Sequence, residues 1–106
     1  MSYRYMRIFV MFDLPVGTTD ERRTASKYRK YLVKSGFMML QESVYCKLAP
    51  NDTVAASVVN SLKKNCPESG SVIVLRITEK QFQNMDFLVG NMKQDVLHSD
   101  ERIVIL

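Results

Sequence analysis

Histidine is almost missing from this chain: His98 is the single one among 106 residues. That excludes a histidine-based zinc site and a histidine triad built within one chain. Cysteine is nearly as scarce. Cys46 and Cys66 have no close spacing, and two thiols in an unexported chain are expected to be free and packed rather than bridged. No apolar run approaches the roughly 20 residues that a membrane helix needs. The N-terminus does not read as a signal peptide. The apolar stretch Ile8 to Phe12 is short, and Asp13-Leu14-Pro15 follows it with no small-residue cleavage site. The expected location is the cytoplasm. The chain also lacks a glycine-rich phosphate loop, a nucleophile elbow, internal repeats and low-complexity tracts.

What is present fits one small globular domain. The composition is 46% hydrophobic and 25% charged, a globular rather than a disordered balance, and the length suggests a single domain. A domain this small buries a limited fraction of its surface, so oligomerisation is a natural source of stability. The net charge of +4 is localised. Residues 20–34 hold Arg22, Arg23, Lys27, Arg29, Lys30 and Lys34 against Asp20 and Glu21, and the rest of the chain is balanced. Such asymmetry is expected of a face that meets a polyanion.

The hydrophobic pattern predicts alternating strands and helices. Arg4 to Leu14 reads as a first strand, whose continuous apolar run Ile8 to Phe12 marks burial on both faces. Pro15-Val16-Gly17 is turn chemistry. Thr18-Thr19-Asp20 supplies an N-cap for a helix from about Asp20 to Ser35, stopped by Gly36. On that helix Arg23, Lys27, Lys30 and Lys34 form one stripe, while Ala25, Tyr28 and Leu32 face the opposite way, toward the core. Phe37 to Leu40 is a second strand, Gln41-Glu42-Ser43 a tight reversal or bulge, and Val44 to Leu48 a third strand. There Val44, Cys46 and Leu48 alternate with Tyr45 and Lys47. A second helix spans roughly Thr53 to Asn65 behind Pro50-Asn51-Asp52, with Ala55, Val58, Val59 and Leu62 at helical spacing. Ser71 to Thr78 is a fourth strand. The order is that of an α+β, ferredoxin-like split βαβ fold, with strand one inside an antiparallel sheet and both helices on one face. Residues 1–78 form this core. Residues 79–106 add an extension: a short helix over Glu79 to Met85, then short strands at Phe87-Leu88-Val89 and Arg102 to Leu106 that pair with a sheet edge, of this copy or another. The seven methionines, Met38 and Met39 among them, read as core filler.

Three sets of residues could carry chemistry. Asp13 ends a central strand, where loops gather and sites form. A carboxylate there can hold Mg²⁺, and a two-fold axis would bring a second Asp13 from a partner to polarise a phosphodiester. The plainer alternative is an aspartate that only ends a strand before a turn. The stripe of Arg23, Lys27, Lys30 and Lys34, flanked by Arg22, suits phosphate contact that positions a duplex without reading its sequence; the alternative is a solvated helix face. Ser43 can hydrogen-bond a phosphate and Tyr45 can stack on a base or sugar, or they are a turn serine and a half-buried strand aromatic.

Taken together these residues resemble a known family. An apolar strand ends in Phe12-Asp13, and the pair Arg22-Arg23 lies in the first helix. Leu32 and Gly36 follow, then Gln41-x-Ser43-Val44-Tyr45. This order resembles the CRISPR-associated protein 2 family of the spacer-acquisition machinery. Met1 to Arg7 and Ser99 to Val104 resemble its type II-A form. The family's Ser-Val-Phe is Ser-Val-Tyr here. The resemblance implies a ferredoxin-like homodimer whose two Asp13 residues face each other across the axis. Members are described as Mg²⁺-dependent endonucleases acting on single-stranded RNA or double-stranded DNA, with Asp13 matching the metal-binding aspartate. They also bridge two dimers of a CRISPR-associated integrase and support the middle of the incoming DNA duplex, while the integrase performs strand transfer. Three functions follow as expectations: a DNA-holding scaffold, an endonuclease using Asp13 and Ser43, and, least supported, a ferredoxin-like module that binds a small molecule.

Overall fold

The alternation of Ile8, Val10 and Phe12 with Phe9 and Met11 gives β1 (Met6–Asp13) two apolar faces, one closed by the long helices and the other covered only in part. The computed structural model describes residues 5–90. The elements follow in the order β1, α1 (Thr19–Lys34), β2 (Met38–Gln41), β3 (Val44–Ala49), α2 (Asp52–Lys64), β4 (Ser71–Thr78) and α3 (Glu79–Gln83). The sheet has the order β2-β3-β1-β4, with β1 antiparallel to both neighbours. This is the ferredoxin-like arrangement that the element order predicts. No helix among the described residues is long and apolar enough to cross a membrane.

Local chemistry sets the helix ends. Thr18 caps α1 in a complete capping box: its side chain accepts from the Glu21 backbone and Glu21 returns to the Thr18 N–H. Gly36, at φ +93, ends the helix as expected. Asn51 caps α2 through its side chain at Val54 N–H, 2.9 Å away.

The main core lies between the sheet and the two long helices. Ile8, Val10 and Phe12 from β1 meet Ala25, Tyr28 and Leu32 from α1 and Ala55 and Leu62 from α2. Full burial of each large apolar side chain contributes roughly 1.5–3 kcal/mol. Phe12 anchors an aromatic group, edge-on to Tyr28 at 5.3 Å and stacked on Tyr45 at 5.8 Å.

The opposite side of the sheet is closed differently. Phe9, Cys46 and Phe82 form a small second cluster, flanked by Met38, Leu40, Val44, Ile77 and Met85. Arg7 is buried beside it, 1% exposed, and its Nε donates to Glu79 Oε1 at 2.7 Å. The guanidinium lies 4.2 Å from the Phe82 ring centroid, and its Nη1 reaches Cys46 Sγ at 3.9 Å. This buried pair fastens α3 to the sheet, and Gln83 completes it by donating to Glu79 Oε2. Both cysteines are free; Cys46 is buried and Cys66 exposed. Burial pushes the Cys46 thiol up, against the pull of the Arg7 charge.

Some expectations are corrected. Phe87-Leu88-Val89 pairs with no strand among the described residues, and Leu88 and Val89 are exposed. Met39 is exposed rather than core filler. The strand expected over Arg102 to Leu106 and the type II-A features at Met1 to Arg4 and Ser99 to Val104 lie outside the described residues.

Candidate active site and nucleic-acid surface

Asp13 is the last residue of β1 and is exposed. Strand alternation puts its side chain on the side of Phe9 and Met11, away from the long helices. Its main chain is braced from both neighbours. The preceding Phe12 N–H donates to the Ser43 carbonyl at 3.1 Å, and Asp13 pairs with Ser71 at the start of β4. Gly70, just before that strand, has φ +89, and a Cβ there would lie 2.7 Å from the Asp13 carbonyl oxygen. Only glycine permits this approach.

Asp13 stands at the rim of an incompletely covered apolar strip. Ile73 and Leu75 of β4, opposite Met11 and Phe9, are 57% and 48% exposed. α3 covers the Arg7 end of this side only. Among the described residues no group of three or more acidic, cysteine or histidine side chains gathers to hold a metal.

Ser43 occupies the β2–β3 turn at φ +63, a left-handed conformation unusual for serine. The turn follows a register shift between Met39 and Gln41, the bulge that the sequence allowed for. Ser43 reaches the Asp13 end of the sheet through its main-chain bond to Phe12. Tyr45 does not serve the role considered for it. It is 4% exposed and its ring stacks on Phe12 within the main core, so its face is closed to a base. Both faces of β3 are buried here, and alternation alone does not reveal that.

The basic stripe lies on the outer face of α1, on the other side of the sheet from Asp13. Its members differ. Arg22 braces the β1–α1 loop, donating to the Val16 carbonyl at 3.0 Å and to Thr19 Oγ1 at 3.3 Å. Arg23 makes a loose, exposed pair with Asp20 at 3.7 Å, which contributes little. Lys27, Lys30 and Lys34 are exposed and make no ion pair among the described residues. They are the cations available to phosphates. Lys47, which sequence reasoning left out, is committed elsewhere: its ammonium caps α1 at the Ser35 carbonyl.

Comparison with known proteins decides the family. Residues 6–85 match the family described as CRISPR associated protein Cas2. The chain belongs to that family. It is 50% identical over 101 residues to the CRISPR-associated endoribonuclease Cas2 of Treponema denticola, covering 95% of this chain and all of that protein. The protein of the same name from Streptococcus mutans is 42% identical, over 95% of this chain and 93% of its own. A solved structure titled "Crystal structure of cas2" superposes with a TM-score of 0.54 at 22% identity, covering 85% of this chain and 92% of that one. At that identity the likeness speaks for the Cas2 fold alone.

Proposed function

We propose that this Cas2 chain works as a homodimer that hydrolyses phosphodiesters in RNA or DNA through paired Asp13 carboxylates and Mg²⁺, within the CRISPR spacer-acquisition machinery. The observation that carries the reading is Asp13 at the rim of the exposed Ile73 and Leu75 strip. A second copy seated on that strip covers the apolar side chains and brings its own Asp13 near the first. Mg²⁺ is commonly held by one or two carboxylates, with water and substrate phosphate completing its shell. Two Asp13 residues fit that count. When bound, Mg²⁺ polarises a phosphodiester oxygen and acidifies its water. The chain's own contribution to this chemistry is to fix Asp13 between the Ser43 turn and Gly70. The relatives' name, endoribonuclease, supports RNA as a substrate class.

A second reading has its own support. The free lysines of α1 and Asp13 lie on opposite sides of the sheet, so the helix face can hold a DNA duplex without help from Asp13. On this reading the dimer is a scaffold that joins integrase dimers.

The test compares wild type and Asp13→Ala on labelled single-stranded RNA and duplex DNA, with Mg²⁺ or EDTA. The nuclease reading expects metal-dependent cleavage that Asp13→Ala abolishes while dimerisation persists. Retained duplex binding with no cleavage by either protein selects the scaffold. Both readings expect binding that weakens steeply with salt, through counterion release.

A further inference from the structure

Asp13 stands directly opposite Ser71 in the antiparallel pairing of β1 with β4. Side chains of such a pair leave the sheet on the same side, with Cβ atoms about 4.5–5.5 Å apart. The alternation along β4 agrees with this placement. Val72 and Val74 pack against the main core, while Ile73 and Leu75 stand exposed on the other side of the sheet. Ser71 therefore continues the Ile73 and Leu75 strip and ends it beside Asp13. Both Asp13 and Ser71 are exposed. One step further along the same side, the paired residues are Met11 and Ile73, both apolar. On the β4 side, the Ser71 hydroxyl is thus the polar group that register sets against the Asp13 carboxylate. The main chain holds it there. Gly70, at φ +89, lets β4 begin so close to β1 that a Cβ would come within 2.7 Å of the Asp13 carbonyl oxygen. The residue that follows this glycine is pressed against the residue that carries the acid.

We infer, resting on the Asp13 reading above, that Ser71 is a positioning residue of that site: its hydroxyl holds a water of the shell around a divalent cation bound by Asp13. Mg²⁺ keeps several waters when carboxylates hold it, and partners outside the direct ligands orient the shell and tune affinity. A serine hydroxyl donates one hydrogen bond and accepts two. Ser71 can therefore accept from such a water and donate to a carboxylate oxygen of Asp13. Being neutral, it adds no repulsion to two carboxylates that share a cation. In the proposed dimer the two-fold axis supplies the pair twice, as two acids and two hydroxyls.

The test measures Mn²⁺ binding to the full chain, from the loss of the free ion's electron paramagnetic resonance signal. Wild type, Asp13→Ala, Ser71→Thr and Ser71→Val are compared. Threonine and valine have nearly the same shape and both suit a strand, so the difference between them reads the hydroxyl alone. Ser71→Val is expected to weaken Mn²⁺ binding about tenfold, the lower end for a partner outside the direct ligands. Ser71→Thr should bind as wild type does. Ser71→Ala, which also lacks the hydroxyl, should match Ser71→Val and replaces it if valine disturbs the fold. Mg²⁺-dependent cleavage of single-stranded RNA should follow the same order, and raising Mg²⁺ should recover the loss in Ser71→Val. Mn²⁺ binding that depends on Asp13 but is equal in wild type, Ser71→Thr and Ser71→Val overturns the role of Ser71 and leaves the Asp13 reading standing. Binding that persists in Asp13→Ala, or none in wild type, overturns both. Equal losses in Ser71→Thr and Ser71→Val make the effect one of bulk and overturn the role of the hydroxyl. Sedimentation separates one more case: a dimer lost in Ser71→Val and kept in Ser71→Thr makes the hydroxyl a contact between copies, which also overturns it. Unchanged far-UV circular dichroism and melting of the variants tie any loss to the site rather than to folding.

Discussion

The two sides of the sheet solve the same problem by different means. On the helix side, long apolar side chains from three elements close around Ile8, Val10 and Phe12. On the other side, a three-residue apolar cluster is completed by an ion pair, Arg7 with Glu79, under the short helix α3, and the closure stops before Ile73 and Leu75. A finished core needs no further partner. The half-closed side keeps apolar area free at the place where Asp13 emerges. The contrast teaches that one side of the sheet is closed within the chain, while the other keeps an apolar strip open for the proposed second copy.

Breaking the closure of the open side should give the largest effect. Arg7→Met leaves Glu79 charged, buried and uncompensated, and is expected to cost about 3–5 kcal/mol in urea unfolding. Replacing both partners, as Arg7→Met with Glu79→Leu, should recover much of that loss. A cost near zero for the single change would mean that α3 is not fastened by the pair. On the helix side Leu32→Ala is expected to cost about 3 kcal/mol by cavity formation, and a much smaller value would show a core that collapses readily.

Ile73→Ser sharpens the comparison from the other direction. In dilute protein it should change stability by less than about 0.5 kcal/mol, as exposed positions do. In sedimentation at rising concentration it should weaken self-association. A stable dimer with serine at position 73 would place the second copy elsewhere.

The smallest effect appears only in alkali. Tyr28 rises from 10.0 to about 12 on folding, chiefly through burial. The folded state then keeps a proton that the unfolded chain releases above its ordinary value. Stability is therefore full below pH 10 and declines as pH rises toward 12. Tyr28→Phe should flatten that decline, read from melting temperatures across the window, and an unchanged slope would assign the alkaline loss to other groups.

Much of the fold was legible because periodicity reports directly on burial. The α1 residues assigned to the core, Ala25, Tyr28 and Leu32, are its buried ones, and β4 runs from Ser71 to Thr78 as expected. Tyr45 was not legible, since alternation separates two faces without saying whether either is open. Arg7 was not legible either, because a buried cation has the same letter as a solvated one and its partner is 72 positions away. Phe87 to Val89 has strand composition but pairs with no strand among the described residues. Of the candidate site, Asp13 stood out through its place at the end of β1 and the family pattern. The role of Gly70 emerges only when distant segments meet.

Gly70 has one more consequence. Because its missing side chain is what lets β4 start against the Asp13 carbonyl, position 70 acts as an adjusting screw for that carboxylate. Alanine there must displace the Asp13 main chain while leaving the acid chemically intact. In an assembly of two copies the shift is applied twice, once on each side of the axis. In the proposed dimer the spacing of the two carboxylates would then follow position 70.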